Sequence, residues 1–291
     1  MTALFVLVSL AALQGDELIV STNDLASMQD VLVVDARPRD LYTAAHIPGA
    51  ASMDVDSLAE NRGSVAGLLR PLPEVRRSLS QAGIDPSKHI VVYSELDSAD
   101  DFKTATRLFW ILEYLGYERV SILDGGFAKW KAEGRDTAQG PSTVEPVKIP
   151  KLSVREDRLA TTKEVQEAVD SKSAALADLR SPEYYCGEKK AEVTQEAGHI
   201  PSASNIPADD FVSGSDGTVK SWEELQALMQ NGGVSENDPA IMYCNTGRSA
   251  SVGYFVLRRM GNENVSLYDG SMSEWTAKRK DVETSPAGAK E

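Results

Sequence analysis

The residues best able to do chemistry lie together in Tyr243-Cys244-Asn245-Thr246-Gly247-Arg248-Ser249-Ala250. The thiol closes a short apolar run, and a tight loop with one glycine leads from it into a helical pattern. At the carboxyl edge of a parallel sheet, such a loop turns several backbone N–H groups inward and adds the positive end of a helix dipole. That cradle favours thiolate over thiol and holds an anion beside it. Arg248 adds a fixed cation, and Thr246 and Ser249 add hydroxyls. Together these parts make a nucleophilic thiolate facing an anionic substrate. The competing reading is a structural cysteine buried at a strand end. A cysteine phosphatase would need C-x5-R, and position 250 is Ala250. The loop suits a smaller reacting atom than phosphate.

A loop of this kind needs a sheet to carry it, and the chain spells out such a sheet twice. Val31-Leu32-Val33-Val34-Asp35-Ala36-Arg37 is answered by Ala174-Ala175-Leu176-Ala177-Asp178-Leu179-Arg180, each an apolar run ending in D-x-R. Ala45-His46-Ile47-Pro48 is answered by Gly198-His199-Ile200-Pro201, and Ile90–Ser94 by Ala240–Cys244. Gly116–Trp130 pairs with Gly261–Trp275 at an offset of 145, sharing V-S-x-x-D-G-x-x-x-x-W. Four blocks in one order make a duplicated domain.

Each copy reads as α/β. Val31–Val34, Ile90–Tyr93, Val120–Leu123, Ile241–Tyr243 and Val265–Tyr268 are expected as buried parallel strands. Thr104–Leu115, with Leu108, Ile111, Leu112 and Leu115 on one face, and Ser249–Met260, with Val252, Phe255, Val256 and Met260 on one face, are expected as helices ending at Gly116 and Gly261. Alternating strands and helices imply parallel sheets covered on both sides. The expected boundaries are a domain over 16–140, a Pro-rich linker over 141–155 and a second domain over 156–291, with a frayed tail from Thr284.

Composition narrows the partners. The chain has 291 residues, 42% hydrophobic and 25% charged, with a net charge of −14. That charge counts against nucleic acid and anionic membrane. Two cysteines, Cys186 and Cys244, exclude a disulfide framework or a Cys-rich zinc module. His46, His89 and His199 have no metal-ligand spacing. No metal and no cofactor are expected, and the mature protein is read as a monomer free of membrane.

In the order of its D-x-R, HIP and D-G-x-x-x-x-W blocks, and in the loop cysteine of its second copy, the chain resembles the tandem two-domain rhodaneses, the thiosulfate and 3-mercaptopyruvate sulfurtransferases. The resemblance implies two rhodanese-like domains, each a parallel sheet flanked by helices. It implies a ping-pong transfer in which Cys244 takes the outer sulfur of a donor as a persulfide, held by the Asn245–Ser249 amides, and passes it to cyanide or a thiol. It implies a catalytically silent first copy, where Ser94 stands at the cysteine position before a turn, Glu95–Asp101, read as longer and acidic. Arg180 stands where a family arginine binds the donor, against the alternative of an ion pair with Asp178. Thiosulfate is the favoured donor. Arg248 gives the loop the charge of thiosulfate branches, and Ser181–Ile200 contains Lys189 and Lys190 but not the extra arginine of mercaptopyruvate branches. The alternatives are a 3-mercaptopyruvate sulfurtransferase and a rhodanese module that binds or senses sulfur species without turnover.

Other residues have simpler readings. Cys186 is an incidental thiol, or else forms a redox-switch disulfide with Cys244. His46 and His199 are turn residues, with a general-acid role for His46 as the alternative. Trp130 and Trp275 are packing residues, Trp275 with an option of lining the cleft. The turns Asp124-Gly125 and Asp269-Gly270 simply end strands. The apolar run Ala3–Leu13 has the length of a signal-peptide core. A signal over 1–15 and a periplasmic or secreted protein are expected, with a buried first element in a cytoplasmic protein as the alternative.

Overall fold

The computed structural model describes residues 18–141, 144–212 and 219–284. The Ala3–Leu13 run and the tail beyond Thr284 lie outside the described residues. The first half runs β1 (Ile19–Val20), α1 (Thr22–Ser27), β2 (Val31–Asp35), α2 (Arg39–Ala44), β3 (Ala51–Ser52), β4 (Ala59–Arg62), β5 (Val65–Leu69), α3 (Leu72–Gln81), β6 (His89–Tyr93), α4 (Ala99–Tyr114), β7 (Val120–Leu123) and α5 (Gly126–Ala132). The second runs α6 (Thr162–Ser171), β8 (Ala175–Asp178), α7 (Pro182–Tyr185), β9 (Ser204–Asn205), α8 (Trp222–Asn231), β10 (Ala240–Tyr243), α9 (Ala250–Arg259), β11 (Val265–Leu267) and α10 (Ser271–Ala277).

Among the described residues, the first sheet is ordered β1-β7-β6-β2-β3 and the second β11-β10-β8-β9, and every pairing in both is parallel. The central strands are apolar without alternation because helices cover both faces. Register places Asp35 beside Tyr93 and, correspondingly, Asp178 beside Tyr243, so each D-x-R turn sits next to the loop that follows the central strand. The described residues between Gly140 and Arg155 form neither helix nor strand. No helix among the described residues is long and apolar enough to cross a membrane.

Three expectations need correction. The last strand stops at Leu267, one residue early, because Tyr268 already turns: its carbonyl accepts the Ser271 N–H at 3.2 Å. Helix α4 begins at Ala99 rather than Thr104, because the Ser98 hydroxyl caps it by accepting the Asp101 N–H at 3.3 Å, with Asp100 and Asp101 in its first turn. The first-copy loop is therefore only Ser94–Ser98, no longer than Cys244–Ser249, and Asp101 belongs to the helix.

Helix α4 is buried on all sides, not on one stripe, because the second domain covers its far face. It packs on α9, and equivalent positions of the two copies meet there, as a two-fold axis requires. Thr106 and Ser251, 145 residues apart, share a hydroxyl hydrogen bond of 2.8 Å. Glu113 and Arg258, also 145 apart, form a buried ion pair of 2.9 Å, and Glu113 accepts the Tyr254 hydroxyl at 2.6 Å. Phe109 meets Phe255 edge to face, with ring centroids 5.0 Å apart. Divergence at one self-facing position has thus given each copy the charge the other needs.

Arg258 also pairs with Glu263 at 2.7 Å, so removing Glu113 takes one of its two carboxylates and leaves the buried Tyr254 hydroxyl without its acceptor. Glu113→Ala should lower unfolding free energy by about 2 kcal/mol, and Glu113→Ala with Arg258→Met should recover part of that. Urea denaturation measures both; a single variant within about 0.5 kcal/mol of wild type would show that the pair does not hold the domains.

Candidate active site

Cys244 follows the last residue of β10 and is only 3% exposed. Its N–H donates to the Ser271 hydroxyl at 3.1 Å and its carbonyl accepts the Met272 N–H at 3.0 Å. Asn245 is tied likewise, its carbonyl accepting the Ser273 N–H at 3.1 Å. The first copy repeats the pattern, Phe127 and Ala128 donating to the carbonyls of Ser94 and Glu95. The amides from Asn245 to Ala250 donate to no acceptor among the described residues. Backbone donors inside a fold are normally paired, and Gly247 and Ala250 are buried while Asn245, Thr246, Arg248 and Ser249 are half-buried, so a run of open amides here beside a thiol is a site for negative charge. The turn that presents them depends on Gly247, at φ +78°, where a side chain would meet Asp269 and Arg107 within 3.0 Å. Helix α9 then starts at Ala250 with its N-terminal dipole toward the loop.

The expected cations are both engaged. Arg180, 6% exposed, donates to Asp178 from Nε at 2.9 Å and from Nη2 at 2.5 Å, and to the Gly198 carbonyl at 2.7 Å. Burial pulls its pKa down, but Asp178, with smaller help from Tyr243 and Cys244, pushes it above the ordinary arginine value. Arg37 makes the same bonds to Asp35 and the Ala45 carbonyl. The shared role of D-x-R is therefore structural. One difference remains: Arg37 Nη1 donates to Glu95, whereas Arg180 Nη1 has no acceptor among the described residues. Glu95 stands where Asn245 stands, so the first copy fills the place with its own carboxylate. Arg248, with its side chain 37% exposed, is not a free cation: it pairs with Asp56 and donates to the Thr104 hydroxyl at 2.7 Å. Both partners come from the first domain. The Asn245 Oδ1 is buried without a partner, and a half-turn of the carboxamide places Nδ2 there instead. Thr246 lies half-buried under Gly67, and the Ser249 hydroxyl makes no helix cap.

Sequence reasoning missed most of what the first domain contributes. The β4–β5 hairpin lies across the second domain, with Ala66 N–H donating to Ser273 Oγ at 2.9 Å and Leu69 N–H to Asp269 Oδ2 at 2.8 Å. Arg107 donates to Asp269 Oδ1 at 2.5 Å and to the Gly247 carbonyl at 3.4 Å. Asp269 is thus an interdomain anchor and not merely a strand end. A cavity of about 420 Å³, lined by Arg62, Leu69, Trp110, Tyr114, Asp269 and Lys278 among others, opens beyond Asp269. None of Cys244–Ser249 lines it.

The remaining candidates settle as structure. Ile47 and Ile200 of the HIP motifs donate their N–H groups to the hydroxyls of Tyr93 and Tyr243, the residues just before Ser94 and Cys244. His46 and His199 stack on Tyr42 and Tyr185 and donate from Nδ1 to the carbonyls of the same tyrosines at 2.9 Å. His46 is buried in that contact, which leaves no general-acid role. Trp275 is buried in the core and donates to the Asp281 carbonyl at 2.8 Å, so it does not line the cleft. Cys186 and Cys244 are both free thiols; burial, then Glu188 and Glu183, push the Cys186 thiol up, which disfavours its thiolate.

A model of the rhodanese-like domain matches residues 21–133 and again 161–278. The chain belongs to the rhodanese family of sulfurtransferases. It is 32% identical over 239 residues to a thiosulfate sulfurtransferase of Mus musculus, covering 81% of this chain and 79% of that one. It is 31% identical over 255 residues to a 3-mercaptopyruvate sulfurtransferase of Escherichia coli, covering 84% and 85%. The rhodanese fold of SseA from Escherichia coli superposes with a TM-score of 0.75 at 29% identity, over 87% of this chain and 98% of that one.

The hairpin contact gives a direct test of how the loop is held. Gly67 sits at φ +75°, and an added Cβ would lie 2.6 Å from Thr246 Cβ. Gly67→Ala should lower stability by roughly 1–3 kcal/mol and speed iodoacetamide modification of Cys244. Unchanged melting and an unchanged alkylation rate would show that the hairpin does not brace the loop.

Proposed function

We propose that this rhodanese is a thiosulfate sulfurtransferase working through a persulfide on Cys244. The observation that carries the reading is the run of open amides, Asn245 to Ala250, beside a buried thiol at the end of a central strand. The Cys244 thiolate attacks the outer sulfur of thiosulfate, the S–S bond of the donor breaks, and sulfite leaves with the bonding pair. The terminal persulfide sulfur keeps the negative charge and is held by the same amides. Cyanide or a thiolate then attacks that sulfur and the thiolate of Cys244 returns. No redox partner is needed, because sulfite carries away the electrons.

A compact donor is favoured by how closely the first domain covers the loop. Gly67 rests on Thr246, Arg248 is held by Asp56 and Thr104, and the thiol is almost wholly covered. In Ser181–Ile200, Lys189 pairs with Glu183 and Lys190 donates to the Thr194 carbonyl, so neither is a free cation for a carboxylate. The similarity to the Escherichia coli 3-mercaptopyruvate sulfurtransferase supports mercaptopyruvate as the second donor to test.

Intact mass after thiosulfate treatment should rise by about 32 Da on the wild type and not on Cys244→Ser. Thiocyanate should then form faster from thiosulfate than from 3-mercaptopyruvate. An adduct on Cys244→Ser, or none on the wild type with either donor, would overturn the persulfide; the reverse donor order would overturn only thiosulfate.

A further inference from the structure

The non-glycine residues with positive φ are, among the described residues, Asp30, Leu96, Lys172, Ser202, Ser271 and Arg279. Asp30, Lys172, Ser202 and Arg279 are exposed, where chain turns tolerate the strain. Leu96, in the first copy's loop, and Ser271 are buried, at 5% and 0% exposed, and of the two it is Ser271, at φ +48°, that touches the nucleophile. Side chains in this region crowd the following carbonyl, so a serine persists there only when something holds it.

The other copy shows how the strain is normally avoided. At the constant offset of 145, the D-G-x-x-x-x-W block places Gly126 opposite Ser271. Gly126 has the same backbone, φ +54°, without the penalty. A Cβ on Gly126 would lie 2.5 Å from the Ser94 carbonyl oxygen and 2.9 Å from that of Glu95. The copy that lacks the cysteine has the unstrained residue, and the copy that has the cysteine carries a side chain at the same point.

That side chain is spent on Cys244. The Ser271 hydroxyl donates to the Tyr268 carbonyl at 2.7 Å and accepts the Cys244 N–H at 3.1 Å. With Met272 donating to the Cys244 carbonyl at 3.0 Å, consecutive residues grip both backbone groups of the nucleophile. The thiol projects from a Cα fixed on either side, while the amides that follow it stay open for the transferred sulfur.

We infer that Ser271 is the positioning residue of Cys244, kept in a strained conformation because its hydroxyl fixes where the thiol points. This rests on Cys244 being the nucleophile. A misplacement of about 1 Å can cost a factor on the order of a hundred in rate, so the effect belongs in turnover and not in donor binding.

Two variants separate the hydroxyl from the backbone. Ser271→Gly removes the hydroxyl and relieves the strain; Ser271→Ala removes the hydroxyl and keeps it. Both should lower kcat by roughly ten- to a hundredfold with KM for thiosulfate within about twofold of wild type, and both should slow iodoacetamide modification of Cys244. Near-UV circular dichroism checks that each variant is folded. The alkylation rate reads the thiol whatever the donor proves to be, so a wrong donor leaves this measurement valid. Folded variants with wild-type kcat and wild-type alkylation would overturn the inference, as would a loss seen in Ser271→Ala but not in Ser271→Gly, which would assign the effect to strain.

Discussion

A backbone N–H without an acceptor of the chain's own needs water or a ligand, and a protein that keeps several of them together has to hold them open against every acceptor its own chain could offer. The turn from Asn245 to Ala250 is such a place. Much of the second domain's local structure follows from the need to stop that turn from collapsing. The Asn245 and Gly247 carbonyls are taken by Ser273 and Arg107, its glycine is wedged against Asp269, and its arginine is drawn outward to Asp56. What remains unpaired is a set of donors pointed at charge that arrives with the substrate.

The duplication explains how such a turn is braced. Helices α4 and α9 bring equivalent positions of the two copies face to face, so any change at one of them is read by its counterpart. The copies have divided the work. The first fills its own anion position with Glu95, which Arg37 holds, and it sends Asp56, Gly67, Thr104 and Arg107 across to the other loop. The first copy has Ser94 where the second has Cys244, and its residues pack against the second copy's loop.

The parallel sheets and the reactive loop were legible in the sequence because both rest on short-range signals. Apolar runs such as Ile90–Tyr93 mark buried strands, and Cys244-Asn245-Thr246-Gly247 marks a strand-to-helix turn. Asp56, Gly67, Thr104 and Arg107 were not legible, because each acts on a residue far along the chain and depends on how two domains dock. Whether Arg180 and Arg248 are free cations was left open for a related reason: a cation near a loop in sequence says nothing of the carboxylate that reaches it through space, and here Asp178, the alternative weighed for Arg180, and Asp56 do. Two signals were nevertheless present in the repeat. Opposite charges at Glu113 and Arg258, and glycine against serine at Gly126 and Ser271, stand at equivalent positions and mark where the copies had to differ.

The central claim is that the open amides of the loop hold the transferred sulfur. Amide proton and nitrogen shifts of uniformly labelled protein, recorded before and after loading with one equivalent of sulfane sulfur, test it most directly. The account predicts that the N–H signals of Asn245 to Ala250 move together toward the shifts of strongly hydrogen-bonded amides and return when cyanide removes the sulfur. Sulfur carried on Cys244 with those signals unmoved, or with changes confined to other parts of the chain, would contradict it.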